Sequence, residues 1–352
     1  MIYCVFRYKK IYGIFLIVLS ALLVLVAAAS LFLGTANIRY GDVFRILLHH
    51  IPGMENRISM DGIPDSAVTI IVKLRLTRVI LAMLVGAGLA AVGSTMQCLF
   101  RNPMAEPGLL GISSGAGLGA TIAIVIGANT TFFGMGSAAI AAFVGAMSTI
   151  LVVYNISRTG SKISPTVLIL AGTAVSFMNS AIIQLIMVFR RDRMDYIILW
   201  TMGSFTTSGW NKILILFPFL VIGITILLLY ARQLNVISTG EETAQSLGIE
   251  VEKVKKILLA VCSMITAACV STSGIIGFVG LIIPHVFRLV VGSDQRILLP
   301  YSIVGGAAFL VICDTLARII APPAEIPVGA ITAVFGSPFF IALLIRSKRS
   351  VM

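Results

Sequence analysis

The sequence predicts an all-α polytopic membrane protein, a bundle of about ten transmembrane helices, and three observations predict it. Of the 352 residues, 58 % are hydrophobic and only 11 % are charged, which excludes an ordinary soluble domain. The apolar residues fall into ten runs, each near the roughly 20 residues that cross a bilayer as a helix. One run, Val79–Phe100, is dense in small residues: Gly86, Ala87, Gly88, Ala90, Ala91, Gly93 and Ser94. Small side chains let membrane helices pack closely where no hydrophobic force draws them together.

The first run, Ile11–Leu33, follows Arg7, Lys9 and Lys10. A basic start also opens a signal peptide, but 23 residues is long for its apolar region and many spans follow, so this is a retained first span. The outer segment Gly34–Leu74 comes next, and its stretch from Arg39 to Leu48 reads as a short interfacial helix. Arg75 and Arg78 then open Val79–Phe100. A polar break, Arg101-Asn102-Pro103-Met104-Ala105-Glu106-Pro107, separates it from Gly108–Gly127. Phe132–Tyr154, Pro165–Phe189 and Ile213–Ala231 follow. The inner segment Arg232–Lys256 leads to Ile257–Ser273 and Gly274–Val291, which almost merge at Ser271-Thr272-Ser273-Gly274, so nine or eleven spans stay open. Leu299–Ile320 and Val328–Ile345 complete one transmembrane domain over residues 1–352. Prolines within spans, such as Pro284 and Pro338, are tolerated where neighbouring helices satisfy the freed backbone groups.

The net charge of +12 would suit nucleic acid in a soluble protein, but here the basic residues sit mostly between apolar runs and report topology. With both termini in the cytoplasm of a multi-pass cell-membrane protein, 15 of the 26 Lys and Arg lie inside. The bias has the expected sign and is weak. Outer arginines either snorkel at the headgroups or build a basic face for an acidic partner.

Within Arg232–Lys256, Thr239 is placed to cap a helix whose first turn carries Glu241 and Glu242 and which Gly248 stops. A short capped helix on the inner face suits docking of a soluble protein. Inside the spans the clearest charges are Asp314 and Arg318, spaced i, i+4 with the acid first, as an internal salt bridge or a functional pair. Asp314 is the only acid in the ten runs, which argues against proton- or sodium-driven transport and for an energy source on another chain.

Gly160–Lys162 lacks the spacing of a phosphate-cradling loop, and H-E-x-x-H and G-x-S-x-G are absent. Neither catalytic residues nor a cofactor is expected. His49, His50 and His285 and five scattered cysteines show no metal-ligand spacing. A secondary carrier or an intramembrane enzyme would need acid clusters or a nucleophile that the spans do not show.

The stretch R-L-T-R-V-I-L-A-M-L-V-G-A-G-L-A and the following L-F-R-N-P-M-A-E-P-G-L-L-G-I-S-S-G-A-G closely resemble the FecCD permeases, the membrane subunits of ABC importers for iron–siderophores, haem and vitamin B12. Further matches are Leu199–Phe205, Ala244–Ile249, Gly274–Arg288, Asp294–Arg296 and Ala324–Phe340, so the resemblance covers Ile11 to Arg346.

This resemblance implies a type II importer fold of ten helices with an inverted repeat. It also implies a second permease subunit, identical or paralogous, sharing the translocation path. Two cytoplasmic ATP-binding subunits would sit below and an extracytoplasmic substrate-binding protein above. By that likeness Glu241, Glu242, Ala244, Ser246, Leu247 and Gly248 belong to the loop that couples to the ATPase. Arg75, Arg78 and Arg318 are similar to arginines that engage glutamates of the binding protein. Ser164, Pro165 and Thr166 match the inner gate of the vitamin B12 relative, with a proline where the chain departs from it. Ferric siderophore is the expected cargo, with haem or cobalamin as alternatives.

Overall fold

In a computed structural model, residues 2–349 are described except 35, 37, 52, 55–57, 128–130, 133–134, 161 and 323. Lipid offers backbone groups no partners, so the apolar runs close their hydrogen bonds within helices. Among the described residues there are fifteen α-helices: α1 (Ile2–Phe32), α2 (Tyr40–His49), α3 (Asp65–Thr69), α4 (Leu76–Leu99), α5 (Ile112–Ile126), α6 (Ser137–Ser157), α7 (Pro165–Phe189), α8 (Met194–Thr201), α9 (Trp210–Leu229), α10 (Ala231–Thr239), α11 (Glu241–Ser246), α12 (Val251–Ser273), α13 (Val279–Val291), α14 (Gln295–Ile319) and α15 (Val328–Arg349). Two ribbons of two-residue strands, Thr131–Phe132 with Met135–Gly136 and Arg158–Thr159 with Lys162–Ile163, are the described sheet.

Each of the ten apolar runs contains one long helix. Among the described residues seven stretches are long and apolar enough to cross a membrane, and α5, α13 and the apolar part of α15 are shorter. The span from Pro165 to Phe189 has the edges the sequence predicts: Ser164 Oγ accepts from the backbone N–H of Val167 and Pro165 takes the first helical position, where its missing N–H costs nothing. The interfacial helix expected from Arg39 is α2.

Three boundaries differ from the reading of the sequence. The outer segment ends at Pro64 rather than Leu74, because α3, a π-helical stretch Ile70–Arg75 and α4 form one continuous helix. Arg75 and Arg78 therefore lie inside a helix instead of opening one. The fourth apolar helix starts at Ser137, since Thr131 and Phe132 pair with Gly136 and Met135 as a ribbon. The run Gly274–Val291 begins with backbone in no helix: Gly274 has φ 73° and Phe278 φ 69°, and α13 starts at Val279. Phe278 in the left-handed region is costly for a non-glycine residue and ends the unwound stretch.

The centre of the bundle is α4, packed against α9, α12, α13 and α14, with α5 against α6 beside it. Its small residues make this possible. A Cβ on Gly86 would lie 2.3 Å from the Gly306 carbonyl oxygen of α14, and one on Gly93 would lie 1.9 Å from the Gly280 carbonyl of α13. At the periphery α1, α7 and α9 leave large apolar side chains open, including Ile17, Leu25, Phe177, Leu185 and Phe217. So large an apolar surface needs lipid or another chain over it.

The break Arg101–Pro107 and the unwound segment 274–278 lie together: Glu106, Pro107 and Gly108 share a small cavity of about 110 Å³ with Ile275, Ile276, Gly277 and Phe278. Across from them, Ser204 N donates to Ser273 O at 2.8 Å, tying the turn after α8 to the end of α12.

Candidate functional site

Three arginines, Arg75 and Arg78 on one continuous helix and the distant Arg318 on α14, converge at one end of the bundle. Arg75, Arg78 and Arg318 line a shallow pit of about 150 Å³, together with Gly34, Ser208 and Glu325. They are 5 %, 7 % and 4 % exposed, so each is packed into the fold. Arg75 donates to the carbonyls of Leu31 at 2.9 Å and Ala36 at 2.7 Å, and its guanidinium lies where a side chain on Gly34 would be. Arg318 donates to Ser30 Oγ at 2.5 Å and to Leu33 O at 3.2 Å. Both arginines thus hold the carbonyl end of α1, the end where a cation suits the helix dipole.

Arg78 is held by charge instead. Its Nε lies 2.8 Å from Asp314 Oδ1 and its Nη1 2.7 Å from Glu325 Oε2. Asp314 also meets Arg318 Nε at 3.3 Å, the i, i+4 pair the sequence suggests, and is 1 % exposed. Burial forces each to find partners, and only the side facing the pit stays accessible. Glu325, in the loop before α15, is the group that sequence reasoning missed. It lies outside every apolar run, so nothing in the pattern set it apart.

Beside the pit, a larger cavity of about 510 Å³ opens between α8, α9, the end of α12 and the loop before α15. Tyr196, Trp200, Ser204, Thr206, Thr207, Lys212 and Glu325 are among its walls.

At the opposite end, α10 and α11 form a bent pair. Thr239 does not cap α11: its hydroxyl donates back to Val236 O, and Gly240, at φ 150°, occupies the cap position. Gly248, at φ 82°, stops the turn as its sequence position suggests. The six coupling candidates divide by direction. Ala244 is fully buried against the bundle, and Glu241 reaches Lys255 Nζ at 2.7 Å and Arg101 Nη2 at 3.7 Å. Glu242, Ser246, Leu247 and Gly248 face outward, with Leu247 66 % exposed.

A hydrogen-bonded chain ties this pair to the core. Asn235 Nδ2 donates to Asp294 Oδ1 at 2.6 Å, and Asn235 Oδ1 accepts from Gln295 N at 2.8 Å. Ser94 Oγ donates to Gln295 Oε1 at 2.9 Å, and Arg288 Nη2 donates to Gln97 Oε1 at 2.9 Å. The Arg296 guanidinium, then the Asn235 amide, hold the Asp294 carboxyl down to about 2. The match at Asp294–Arg296 was the signal in the sequence for this chain; Asn235 had none. Of the gate candidates, Ser164 and Pro165 start α7 and Thr166 is exposed in its first turn. They are far in sequence from both clusters and share no described contact with them.

Among the described residues no group of three His, Cys, Asp or Glu is arranged to hold a metal. His50 Nδ1 is hydrogen-bonded to Ile46 O, and Cys98, Cys262, Cys269 and Cys313 are buried free thiols.

Residues 22–346 match the FecCD transport family. The cobalamin import system permease protein of Halobacterium salinarum is 44 % identical over 80 % of this chain and 75 % of its own length. The hemin transport system permease protein of Yersinia pestis is 39 % identical, covering 78 % of this chain and 83 % of the relative. A solved structure described as an inward-facing conformation of a metal-chelate type ABC transporter superposes with TM-score 0.81 at 31 % identity, over 95 % of this chain and 99 % of that one.

Proposed function

The chain belongs to the FecCD transport family and is a membrane-spanning permease subunit of an ABC importer, and from that premise we propose that its cargo is a ferric siderophore or a related metal chelate. Permeases of this kind hydrolyse no ATP themselves; that activity sits in separate subunits. Three of the cargoes the relatives are named for, cobalamin, haemin and ferric citrate, share a metal held in an organic carrier, which supports the chelate reading, while a fourth, molybdate, is a bare oxyanion.

The single observation that carries the mechanism is the separation of two differently built ends. The arginine pit lies at one end and the exposed face of α11 at the other. The pit gathers three arginines and two carboxylates, so it keeps an excess positive charge. An acidic side chain of an extracytoplasmic binding protein fits it by taking the place of Glu325 on Arg78 and by meeting the open edges of Arg75 and Arg318. At the other end, Glu242, Ser246 and Leu247 meet one of two cytoplasmic ATP-binding subunits. Both chain termini then lie in the cytoplasm. The open apolar face of α7, with Phe177 and Leu185, meets a second permease subunit, and the cargo passes between the two copies. Ser164, Pro165 and Thr166, at the start of the same helix, are placed to narrow the inner end of that path.

Alternating access follows from the packing. ATP-driven movement of α11 pulls α10 through its short connection. The chain Asn235–Asp294–Gln295–Ser94 passes that pull to α14 and α4, whose glycine contacts make them move as one body. The test is uptake of a ferric siderophore into proteoliposomes holding the permease, its ATPase and its binding protein. ATP-dependent uptake that needs all three is expected. Uptake by the permease alone under an ion gradient would overturn the reading in favour of a secondary carrier.

A further inference from the structure

Lys212 stands in the third position of α9, and its ammonium group lines the 510 Å³ cavity at the arginine end. It donates to Thr207 Oγ1 at 2.8 Å and to the Thr272 carbonyl at 3.0 Å. Among the described residues no carboxylate lies within ion-pair distance of it. Glu325, on the same cavity, is taken up by Arg78 at 2.7 Å. An ammonium has three N–H donors, and two are spent on neutral oxygens. A half-buried lysine in a membrane protein is costly unless something compensates it.

Part of the compensation is local. Thr272 belongs to the last turn of α12, where the unpaired carbonyls carry the negative end of the helix dipole. That accounts for the lysine being tolerated, yet a half-charge of dipole does not neutralise it. The rest of the cavity is suited to an anion as well. Ser204, Thr206 and Thr207 add hydroxyl groups, and Tyr196 and Trp200 supply aromatic surface. Cation, hydroxyls and flat apolar walls in a volume of this size describe a small-molecule site.

We propose that the Lys212 cavity is a station on the cargo path that recognises an anionic group, a carboxylate or comparable oxyanion of the chelate, so that the transported species is negatively charged. The inference rests on the importer reading and narrows its cargo. Ferric citrate, haemin with its propionates, and molybdate present such a group; cobalamin in its cyano form is neutral overall. Thr206 and Glu325 border both the pit and this cavity, so a docked binding protein would release its cargo next to Lys212.

The experiment measures equilibrium binding of four probes, ferric citrate, haemin, molybdate and cyanocobalamin, to the assembled permease–ATPase complex carrying wild-type chain, Lys212→Gln or Lys212→Arg. At least one anionic probe is expected to bind the wild type, to lose about tenfold in affinity with Lys212→Gln, as for a lost charge-assisted hydrogen bond, and to regain most of it with Lys212→Arg. Cyanocobalamin binding should not depend on residue 212. If no anionic probe binds the wild type better than Lys212→Gln, the inference is overturned. A variant that only lowers the thermal midpoint while binding stays equal overturns it too, leaving Lys212 as a cap on α12. Stimulation of the wild-type complex's ATPase by its binding protein is read in parallel. If that persists while the anion effect is absent, the importer reading stands and only the Lys212 inference falls.

Discussion

Arg78 and Asp314 lie 236 positions apart in sequence and 2.8 Å apart in space, joining α4 to α14 by a buried ion pair. Removing one partner leaves the other charged and dry, which costs about 3–5 kcal/mol, whereas replacing both with apolar residues is often close to neutral. Arg78→Met and Asp314→Leu should each unfold at a clearly lower temperature in detergent, and the double variant should lose less than the two losses summed while staying below the wild type, because Asp314→Leu also takes the carboxylate from Arg318. The measurement is a double-mutant cycle on thermal unfolding. Additive losses would mean that the two groups are not a unit.

Glu325 competes for the arginine pit. It is the more exposed of the two acids on Arg78, its side chain 33 % accessible, and sits on a loop rather than a packed helix. Glu325→Gln should leave the fold intact and make the pit more positive. Binding of an acidic binding protein should then tighten by a few-fold, mainly through a faster on-rate, and the gain should fade with added salt. Surface-based kinetics at two ionic strengths will read this directly, and an unchanged or weakened on-rate would count against docking at the pit.

The ten apolar helices were legible because each needs a long run of side chains compatible with lipid, and such runs survive in the sequence whatever their partners are. Helix ends within those runs were not. The α13 start moved from Gly274 to Val279 because Ile275, Ile276 and Phe278 are apolar and still not helical; only packing against the turn after α8 reveals that. Charges were visible, but their roles depended on distant partners. Arg75 read as a group at the edge of a span and Arg318 as the partner of Asp314, and neither pattern pointed to the carbonyls of α1 beside them. The same holds for Glu241, whose partner Lys255 lies on the following helix. The family likeness marked these stretches without saying which side chains in them point outward.

Within the coupling stretch, Glu241 and Glu242 should behave differently although they are adjacent. Glu241 is held by Lys255, whose side chain is 5 % exposed and which also meets Glu252 at 3.1 Å, so Glu241→Gln removes one of that cation's two carboxylates and loosens α11 from α12. Glu242→Lys and Leu247→Asp change only the outward face. These two should lower ATPase co-purification by about tenfold, of the order expected for losing a central interface residue, without altering thermal stability. Glu241→Gln should lower stability first. The same ranking of the three variants in both assays would contradict this division.

The crossing of α4 with α14 depends on Gly86. A methyl group there would meet the Gly306 carbonyl at 2.3 Å, and backbone cannot rotate away as a side chain can. Gly86→Ala should cost about 1–3 kcal/mol, the usual range for overpacking, and Gly86→Leu should block assembly of the permease. Expression and size-exclusion profiles will separate these outcomes. Gly13, with no heavy atom near its would-be Cβ, is the control, and Gly13→Ala should be silent.

The pH dependence of the α10–α14 link follows from Asp294. The Arg296 guanidinium, followed by the Asn235 amide, lowers its carboxyl from the usual 3.8 to about 2 in the folded chain. A depressed carboxylate stabilises the fold fully above its unfolded value, and that contribution is lost as pH falls through the folded one. The window is therefore acidic, from about pH 4 down to about pH 2, below any working pH. The thermal midpoint of the wild type should exceed that of Asp294→Asn by a constant margin from pH 8 to pH 5, and the margin should shrink only in more acidic buffer. A margin already falling between pH 7 and pH 6 would point to a different titrating group behind the link. Asn235→Ala, which removes a lesser part of the depression, should narrow the margin at every pH without moving the window far, because Arg296 remains on the carboxylate at 2.6 Å.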